Sequence, residues 1–219
     1  MIATDADTTV RKAEASLPFF GCGNRIRLTL ARIIFLPIHN NRRCQMTLAT
    51  IKKAIRDVPD FPKQGIIFKD VTPLLANQVL FAEVIDMMAS RYTSAPPAKI
   101  IGIESRGFIF GAALALRLKS GFVPVRKKGK LPYRTIEASY DLEYGSATIE
   151  MHTDALAPGE SVIIVDDLLA TGGTAGATAA LVENLGATIL GLEFLVELSF
   201  LKGRTALSKY RINSIIQFD

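Results

Sequence analysis

Alternating apolar and polar segments predict strands that alternate with helices along most of the chain. A buried strand is predicted at 99–104, followed by a crossover helix at 107–118 and a short strand at 122–126. A strand buried on both faces is predicted at 162–165, where every residue is β-branched, and an Ala-rich helical stretch begins at Thr174. An apolar segment at 188–198 and a terminal strand near 212–217 follow. The pattern predicts right-handed βαβ units, so the fold class is α/β with a mainly parallel twisted sheet flanked by helices.

The segments outside this alternation have their own patterns. Apolar residues spaced three to four apart, from Leu48 to Val58, predict an amphipathic helix that runs to Pro59. In the hood-like segment 60–70, Pro62 and Gly65 are expected to prevent regular structure, and a second helix is predicted at about 77–93 after a helix start at Thr72-Pro73. Residues 127–148 lose periodicity and gain charge, Gly and Pro, which predicts a long mobile loop or a β-excursion.

Charge is concentrated at the N-terminus. The 219 residues have a formal net charge of +5, but residues 1–45 alone carry seven basic and three acidic side chains. The remaining residues carry 19 basic and 18 acidic side chains. This nearly neutral body disfavours a general polyanion-binding domain, so no nucleic acid is expected as a partner.

Residues 1–45 are interpreted as an N-terminal extension to a domain at 46–219. The extension is Arg-rich and acid-poor from residue 15 onward, which imitates an organellar transit peptide, but a simpler interpretation is that Met46 is the real start. Its apolar patch at 33–38 is far below the ~20 residues that span a bilayer, so no membrane association is expected. We expect poor order here, apart from a short helix at 25–36.

The cysteines and histidines predict neither a disulfide framework nor a metal site. Cys22 and Cys44 both lie in the extension, and His39 and His152 have no Cys or His neighbours. A reducing, cytoplasmic location fits this distribution.

The segment 162–174 carries the strongest chemical signal. Asp166 and Asp167 are expected where the buried strand ends, and ligands of open α/β sheets bind at that end of the strands. A Thr/Gly-rich turn follows and opens a helix, so its free N–H groups suit a phosphate: Ala170, Thr171, Gly172, Gly173 and Thr174. Carboxylates beside a phosphate cradle suit a sugar phosphate, because they accept hydrogen bonds from vicinal hydroxyls. The alternative is a strand–loop–helix connection that binds no ligand and whose glycines serve only to allow a positive φ.

Two further groups of cations favour anion binding. Arg106 is expected at a helix start, where its charge opposes the helix dipole, and this mismatch favours a bound anion over a solvated arginine. The run from Arg126 to Lys130 includes Lys127 and places four cations in a Gly/Pro-containing loop. Such a run is usually a solvated face, but its position favours a functional role.

Five separated blocks resemble the type I phosphoribosyltransferases. The segment 162–174 resembles that family's motif for 5-phosphoribosyl 1-diphosphate (PRPP), and blocks at 60–75, 104–111, 125–132 and 140–145 follow the family's order. The resemblance covers 46–219, about four-fifths of the chain, and its start favours Met46 as the first native residue. It implies the type I phosphoribosyltransferase fold, with a small N-terminal hood at about 46–75 and a flexible loop at about 127–148.

The blocks at 60–75 and 140–145 match the adenine branch of the family. The resemblance therefore implies purine salvage by a pentosyltransferase that converts adenine and PRPP to AMP and diphosphate. It also implies Mg²⁺ that is bound mainly through PRPP and diphosphate, with no assigned protein ligands. A homodimer is implied because, in the family, one cation of the loop reaches the neighbouring subunit's site.

The family's site residues are carried over by position. The resemblance implies that Arg106 contacts the pyrophosphate and that an unusual peptide geometry precedes Ser105. Arg126 and Lys130, and more weakly Lys127, match the pyrophosphate-binding loop. Asp166 and Asp167 would hold the ribose hydroxyls, and residues 170–174 would anchor the 5-phosphate.

Only this resemblance assigns residues to adenine binding and to proton transfer. Glu143 matches the family's general acid and Tyr144 takes part in loop closure, whereas the residues alone do not distinguish Glu143 from Asp141 or Glu150. Adenine would stack against Phe68 and be read by main-chain groups of Ile67, Phe68 and Lys69, where many relatives have Arg at the last position. With Arg106 and Asp167, Glu143 completes the predicted catalytic set.

Two alternatives remain at this point. The same fold could serve as a PRPP or nucleotide sensor for a nucleic-acid target, although residues 1–45 lack a helix-turn-helix pattern. The enzyme could instead act on hypoxanthine and guanine, xanthine or orotate.

Overall fold

The computed structural model describes residues 48–141 and 145–219. The expectations for the N-terminal extension, including a helix at 25–36, lie outside the described residues. Within the described part, no helix combines the length and apolarity needed to cross a membrane.

The centre of the fold is a seven-stranded, mainly parallel sheet. Its strands, in chain order, are β3 (Lys99–Ile103), β4 (Gly121–Lys127), β5 (Thr135–Asp141), β6 (Ser146–His152), β7 (Ser161–Leu169), β8 (Thr188–Leu198) and β9 (Ile212–Phe218). The spatial order is β5-β6-β4-β3-β7-β8-β9, and the five strands from β4 to β9 in that order are parallel. This confirms the α/β class, and the region 127–148 is the predicted β-excursion, because β6 pairs antiparallel with both β4 and β5.

Helices cover both faces of the sheet. They are α1 (Leu48–Lys53), α2 (Thr72–Leu75), α3 (Gln78–Ala89), α4 (Arg106–Leu118), α5 (Gly173–Asn184) and α6 (Gly203–Ala206), with a 3₁₀ turn at Ser199–Leu201. One hydrophobic cluster joins α1, α3 and α4 to the sheet, and the other joins α5 to the opposite face. The predicted crossover helix at 107–118 is therefore confirmed within one residue.

The hood differs from the sequence expectation. The predicted helix to Pro59 is wrong beyond Lys53, because residues 56–59 form a strand, β1 (Arg56–Pro59). It pairs antiparallel with β2 (Ile67–Asp70). The sequence expectation was that Pro62 and Gly65 prevent regular structure in this segment. Both residues lie in the connection, where they help to form the hairpin: Gly65 has a φ of +85°. The apolar spacing holds for Ile51 and Ile55, which are buried, but pairing with β2 takes over after them.

Asp70 anchors this hairpin to the helices. Its carboxylate accepts hydrogen bonds from the Thr72 amide at 2.9 Å and from Arg56 Nη2 at 2.6 Å. The Thr72 amide and the Arg56 guanidinium lower the pKa of Asp70 from 3.8 to about 2, against the opposing effect of burial. The ionised form therefore stabilises the folded hairpin.

We predict that Asp70→Asn lowers the free energy of unfolding by about 1 kcal/mol at neutral pH, because it removes the ion pair and weakens the cap. The depressed pKa means that the wild type keeps this contribution above its ordinary pKa and loses it as the pH falls from 3.8 to about 2. Urea denaturation at several pH values should show the difference shrinking over that window. Asp57→Asn is the matched control, since its exposed pair with Lys69 lies on the same hairpin. An equal loss in both variants would contradict the anchoring role of Asp70.

Candidate active site

The strand order reverses between β3 and β7. From β3 the chain crosses through α4 to β4 on one side, and from β7 it crosses through α5 to β8 on the other. Such a switch point leaves a crevice outside the carboxyl ends of the strands, which is where open α/β sheets bind ligands. The predicted site residues that follow β3 and β7 therefore meet at one edge.

The two adjacent acids lie within β7. They were expected just after the strand, but β7 continues to Leu169, because β8 pairs with it as far as Leu169↔Glu197. Asp166 Oδ1 accepts a hydrogen bond from the Asp167 amide at 2.9 Å. Asp167 Oδ2 lies 3.1 Å from Arg106 Nε, and the Asp167 side chain is only 4% exposed. The carboxylates are thus held at the crevice floor by neighbouring groups of the site itself.

Burial determines the ionisation of this acidic pair. Burial, and then the charge of Asp167, raises the pKa of Asp166 well above its ordinary value. Burial also raises the pKa of Asp167, although the Arg106 charge opposes that shift. A carboxyl pair that resists carrying two charges can both accept and donate hydrogen bonds, which suits hydroxyl groups better than a second anion.

The loop after β7 forms a small concavity at the start of α5. Its volume is about 70 Å³, and it is lined by Asp166 together with all of the predicted phosphate residues: Ala170, Thr171, Gly172, Gly173 and Thr174. Gly172 has a φ of +86°, a left-handed conformation that glycine adopts without strain. Within residues 48–141 and 145–219, no hydrogen bond uses the amides of Thr171, Gly172, Gly173 or Thr174 as donors. These amides lie at a helix N-terminus, so the loop can receive an anion.

Arg106 begins α4 and contacts both sides of the crevice. Its Nε pairs with Asp167, and its Cζ lies 5.0 Å from the centre of the Phe68 ring in the hood. The Glu104–Ser105 peptide bond before it is cis, which confirms the unusual geometry implied by the resemblance. Arg106 is 37% exposed, so the guanidinium retains access to a ligand.

The cationic run occupies the end of β4 and the turn after it. Arg126 Nε lies 3.1 Å from Glu104 Oε2, and its Nη1 donates to the Lys130 carbonyl at 3.1 Å. The buried Glu150 carboxylate accepts from the amides of Lys130 and Leu131, both at 2.8 Å. Burial opposes ionisation of Glu150, but these amides outweigh it and lower its pKa. Glu150 therefore shapes the turn, and its carboxylate is already occupied by backbone amides.

The lysines of this turn are the exposed cations. Within the described ranges, the side chains of Lys127 and Lys130 make no ion pair, whereas Lys128 pairs with Glu137. Positive charge that is unneutralised by the protein remains available to an anion at the rim of the crevice.

An apolar cavity of about 400 Å³ lies between the hood and the last strands. Two of the three predicted base-contacting residues, Ile67 and Lys69, line it, whereas Phe68 does not. The Phe68 ring instead contacts Phe61 edge-on and lies below the Arg106 guanidinium. Lys69 pairs with Asp57 and lies 4.0 Å from the centre of the Phe218 ring. Along β2, Phe68 therefore faces the crevice, whereas Ile67 and Lys69 on either side of it face the cavity.

The opposite wall of the cavity was not predicted from the sequence. It comes from the end of β8, the 3₁₀ turn and the end of β9: Leu198, Phe200, Leu201, Phe218 and Asp219. The rule that ligands bind at the carboxyl ends of strands, applied to β8 as it was to β7, would have pointed to this wall.

The predicted general acid and the loop-closure residue, Glu143 and Tyr144, lie outside the described residues. The strand that leads to them is described, and its end contacts the loop between β7 and α5. A Cβ built on Gly173 would lie 3.1 Å from Tyr140 Cδ2 and 3.6 Å from the Asp141 carbonyl oxygen. The end of β5 therefore lies directly against the start of α5.

Comparisons with known proteins agree with this geometry. A family profile described as Phosphoribosyl transferase domain matches residues 70–215. The adenine phosphoribosyltransferase of Roseiflexus sp. is 56% identical over 164 residues, covering 75% of this chain and 95% of that protein. That of Carboxydothermus hydrogenoformans is 53% identical over 168 residues, covering 77% and 99%.

Solved structures give the same result. Adenine phosphoribosyltransferase from Thermoanaerobacter pseudethanolicus superposes with a TM-score of 0.76 at 52% identity, covering 78% of this chain and 100% of that chain. The enzyme from Saccharomyces cerevisiae, solved with adenine and an imino-altritol bisphosphate, has a TM-score of 0.74 at 43% identity, covering 77% and 98%. The chain therefore belongs to the phosphoribosyl transferase family. Within that family its relatives are adenine phosphoribosyltransferases, which confirms the resemblance, the fold class and the enzyme class.

The approach of α4 to β7 gives a direct test of the crevice. A Cβ on Gly107 would lie 2.7 Å from the Val165 carbonyl oxygen and 2.8 Å from Asp166 Oδ1. We predict that Gly107→Ala displaces α4 from the acidic pair and lowers kcat/KM at least about tenfold, with a loss of stability of about 1–3 kcal/mol. Steady-state kinetics and thermal unfolding measure both effects.

Gly176→Ala is the control for this substitution. It also adds a methyl group to a helical glycine, but that group would meet Leu207 Cδ2 at an ordinary 3.5 Å. Its helix should become more stable by up to about 1 kcal/mol, with activity retained. Wild-type kinetics in Gly107→Ala would contradict the required close approach.

Proposed function

We propose that this protein transfers the phosphoribosyl group of PRPP to adenine, which yields AMP and diphosphate. The observation that carries the proposal is the position of three sites at one sheet edge. They are the buried acidic pair, the open amide loop and the apolar cavity beside the hood. The names of the relatives support the same activity.

The sugar phosphate fits the β7–α5 junction. Asp166 and Asp167 bind the ribose hydroxyls through their carboxyl oxygens, and the amides of residues 170–174 bind the 5-phosphate. The buried acids also stabilise positive charge that develops on the sugar when the bond to diphosphate breaks.

The departing diphosphate needs positive charge close to it to balance its own negative charge. Arg106 supplies a guanidinium beside Asp167, and the turn after β4 supplies Arg126, Lys127 and Lys130. Arg126 is held by Glu104, so we assign the more direct electrostatic role to Arg106 and the exposed lysines.

Mg²⁺ completes this proposal as a cofactor that is bound mainly by the substrate. Among the described residues, no cluster of three or more His, Cys, Asp or Glu side chains could hold a metal ion. The donor set fits this ion nevertheless, because Mg²⁺ is usually held by one or two carboxylates plus substrate phosphates, and Asp166 and Asp167 are adjacent. When bound, it would neutralise charge on the diphosphate.

The base is assigned to the apolar cavity. Ile67 and Lys69 line it, and main-chain groups of residues 67–69 are proposed to read the adenine edge. Phe68 does not line the cavity, and its ring, which faces Arg106, is proposed as the surface on which the adenine stacks. Glu143 is proposed as the acid–base residue at the purine ring: its carboxylate accepts the proton that the ring nitrogen loses when it bonds to the ribose, and in the reverse reaction the carboxyl group returns that proton as the general acid. Tyr144 is proposed as a closure residue. The contact of Tyr140 and Asp141 with Gly173 supports this, since Glu143 is only two residues after Asp141 in the sequence.

Assembly and location are also parts of the proposal. We propose a homodimer, supported by an exposed apolar groove between α3 and α4, in which Leu116 is 83% exposed. Light scattering that gives only the 23.8 kDa monomer would contradict it. A cytoplasmic location is proposed because residues 46–219 contain no cysteine that could form a disulfide.

The test of the activity is a panel of bases assayed with PRPP and Mg²⁺. Adenine should give AMP and diphosphate, whereas hypoxanthine, guanine, xanthine and orotate should react far more slowly. A preference for another base would overturn the assignment of adenine. No reaction with any base would overturn the enzyme assignment. An electrophoretic shift with DNA or RNA would then favour a PRPP or nucleotide sensor that acts on a nucleic-acid target.

We predict that Asp167→Asn and Arg106→Ala each lower turnover at least about tenfold, because each removes one member of the ion pair at the crevice floor. Single-turnover and steady-state assays with saturating adenine measure the effect. Lys209→Ala is the control, since its ion pair with Glu183 lies near the C-terminal end of α5, away from the phosphate loop. Turnover like that of the wild type in either site variant would contradict the roles of these residues.

A further inference from the structure

An ionic cluster next to the wall of the base cavity takes no part in the proposed reaction. Its centre is Glu197, one residue before the end of β8, whose side chain is 6% exposed. The carboxylate accepts hydrogen bonds from Arg204 of α6 and from Ser214 and Gln217 of β9. The cluster thus joins three elements that are separate in the sequence.

Arg204 uses its whole guanidinium in this cluster. Its Nε and Nη2 donate to the two oxygens of Glu197, both at 2.7 Å, which is the bidentate geometry of a strong ion pair. Its Nη1 donates to the Ile212 carbonyl and its Nη2 to Ser214 Oγ, both at 3.0 Å. Burial opposes ionisation of Glu197, but the hydrogen bonds from Arg204 and Ser214 outweigh it and lower its pKa.

The segment that Arg204 holds contacts both halves of the active site. On one side, Phe200 and Leu201 of the 3₁₀ turn line the base cavity. On the other side, Gly203 contacts the phosphate loop so closely that a Cβ on it would collide with the Ala170 carbonyl oxygen and lie 2.8 Å from the Leu169 side chain. A Cβ on Gly172 would in turn lie 3.0 Å from the Gly203 carbonyl oxygen.

This segment has little regular structure of its own. The 3₁₀ turn contains three residues and α6 contains four, and Lys202 between them has a φ of +54°. Helices this short are not stable by themselves, because nucleation of a helix is unfavourable. Among the residues that the structure describes, the Arg204 cluster is therefore the polar contact that fixes the segment to β8 and β9.

We propose that Arg204 is a positioning residue, which holds residues 199–207 so that the wall of the base cavity and the phosphate loop keep their relative placement. This inference rests on the proposed function. Arg204 lines neither the cavity nor the phosphate concavity, so it acts through Leu201 and Gly203. One arginine thereby affects the binding of two different substrates.

The test compares Arg204→Met with Arg91→Met in the full-length protein. Arg91 is a matched control, because it pairs at 3.2 Å with Glu193, a buried glutamate on the same strand but four residues further from the site. The readouts are the thermal midpoint, kcat, and separate KM values for adenine and PRPP. Arg204→Lys is included because lysine keeps the charge but loses the bidentate geometry.

We expect Arg204→Met to raise both KM values at least about fivefold with a smaller change in kcat, because the loss affects binding in the ground state and transition state alike. Arg204→Lys should give intermediate KM values. Arg91→Met should lower the thermal midpoint comparably and leave both KM values near those of the wild type.

Unchanged KM values in Arg204→Met would overturn the inference, as would equal KM increases in Arg91→Met. If Arg204→Met does not fold, Arg204→Lys decides: raised values for both substrates support the inference, and unchanged values overturn it. A wild-type protein that is inactive with adenine and PRPP overturns the proposed function and the inference together. An active wild type with an insensitive Arg204 overturns the inference alone.

Discussion

The ion pair between Arg106 and Asp167 is the interaction on which the site depends. Two neighbouring carboxyls on a parallel strand repel each other, and burial alone would favour their neutral forms. The guanidinium that begins α4 compensates for part of that cost, although its charge is unfavourable at a helix N-terminus. Each group is poorly placed in isolation, and together they form a crevice floor that can receive a ligand with both hydroxyls and negative charge.

Local patterns predicted those elements whose burial is continuous. The strand β3 and the helix α4 were predicted closely, since their apolar runs reflect the sheet core. The hairpin of β1 and β2 was missed because Ile51 and Ile55 continue a helical spacing up to the point where pairing with residues 67–70 takes over. The length of β7 was underestimated for a similar reason, since pairing with β8 extends it past two charged residues.

Features made by distant segments could not be predicted from local patterns. One wall of the apolar cavity combines the end of β8 with the end of β9, and neither segment has a local motif, so only the rule for strand ends indicates it. The contact of Gly203 with the Ala170 carbonyl likewise joins two loops by close packing. In the sequence, the only sign of this contact is the glycine itself. The role proposed for Glu143 comes from the family resemblance alone, whereas the position of Arg106 at a helix start already favoured a bound anion.

The antiparallel part of the sheet has a geometric consequence. Since β6 runs opposite to both β4 and β5, β5 has the same direction as the parallel strands, and its C-terminal end is at their carboxyl edge. The last described pair of this hairpin, Asp141 and Ser146, therefore lies at the edge of the sheet where the acidic pair and the loop after β7 are found. A change in the number of residues between Asp141 and Ser146 would therefore alter this edge of the sheet, whereas the register of β5 with β6 is set by the paired residues before and after it.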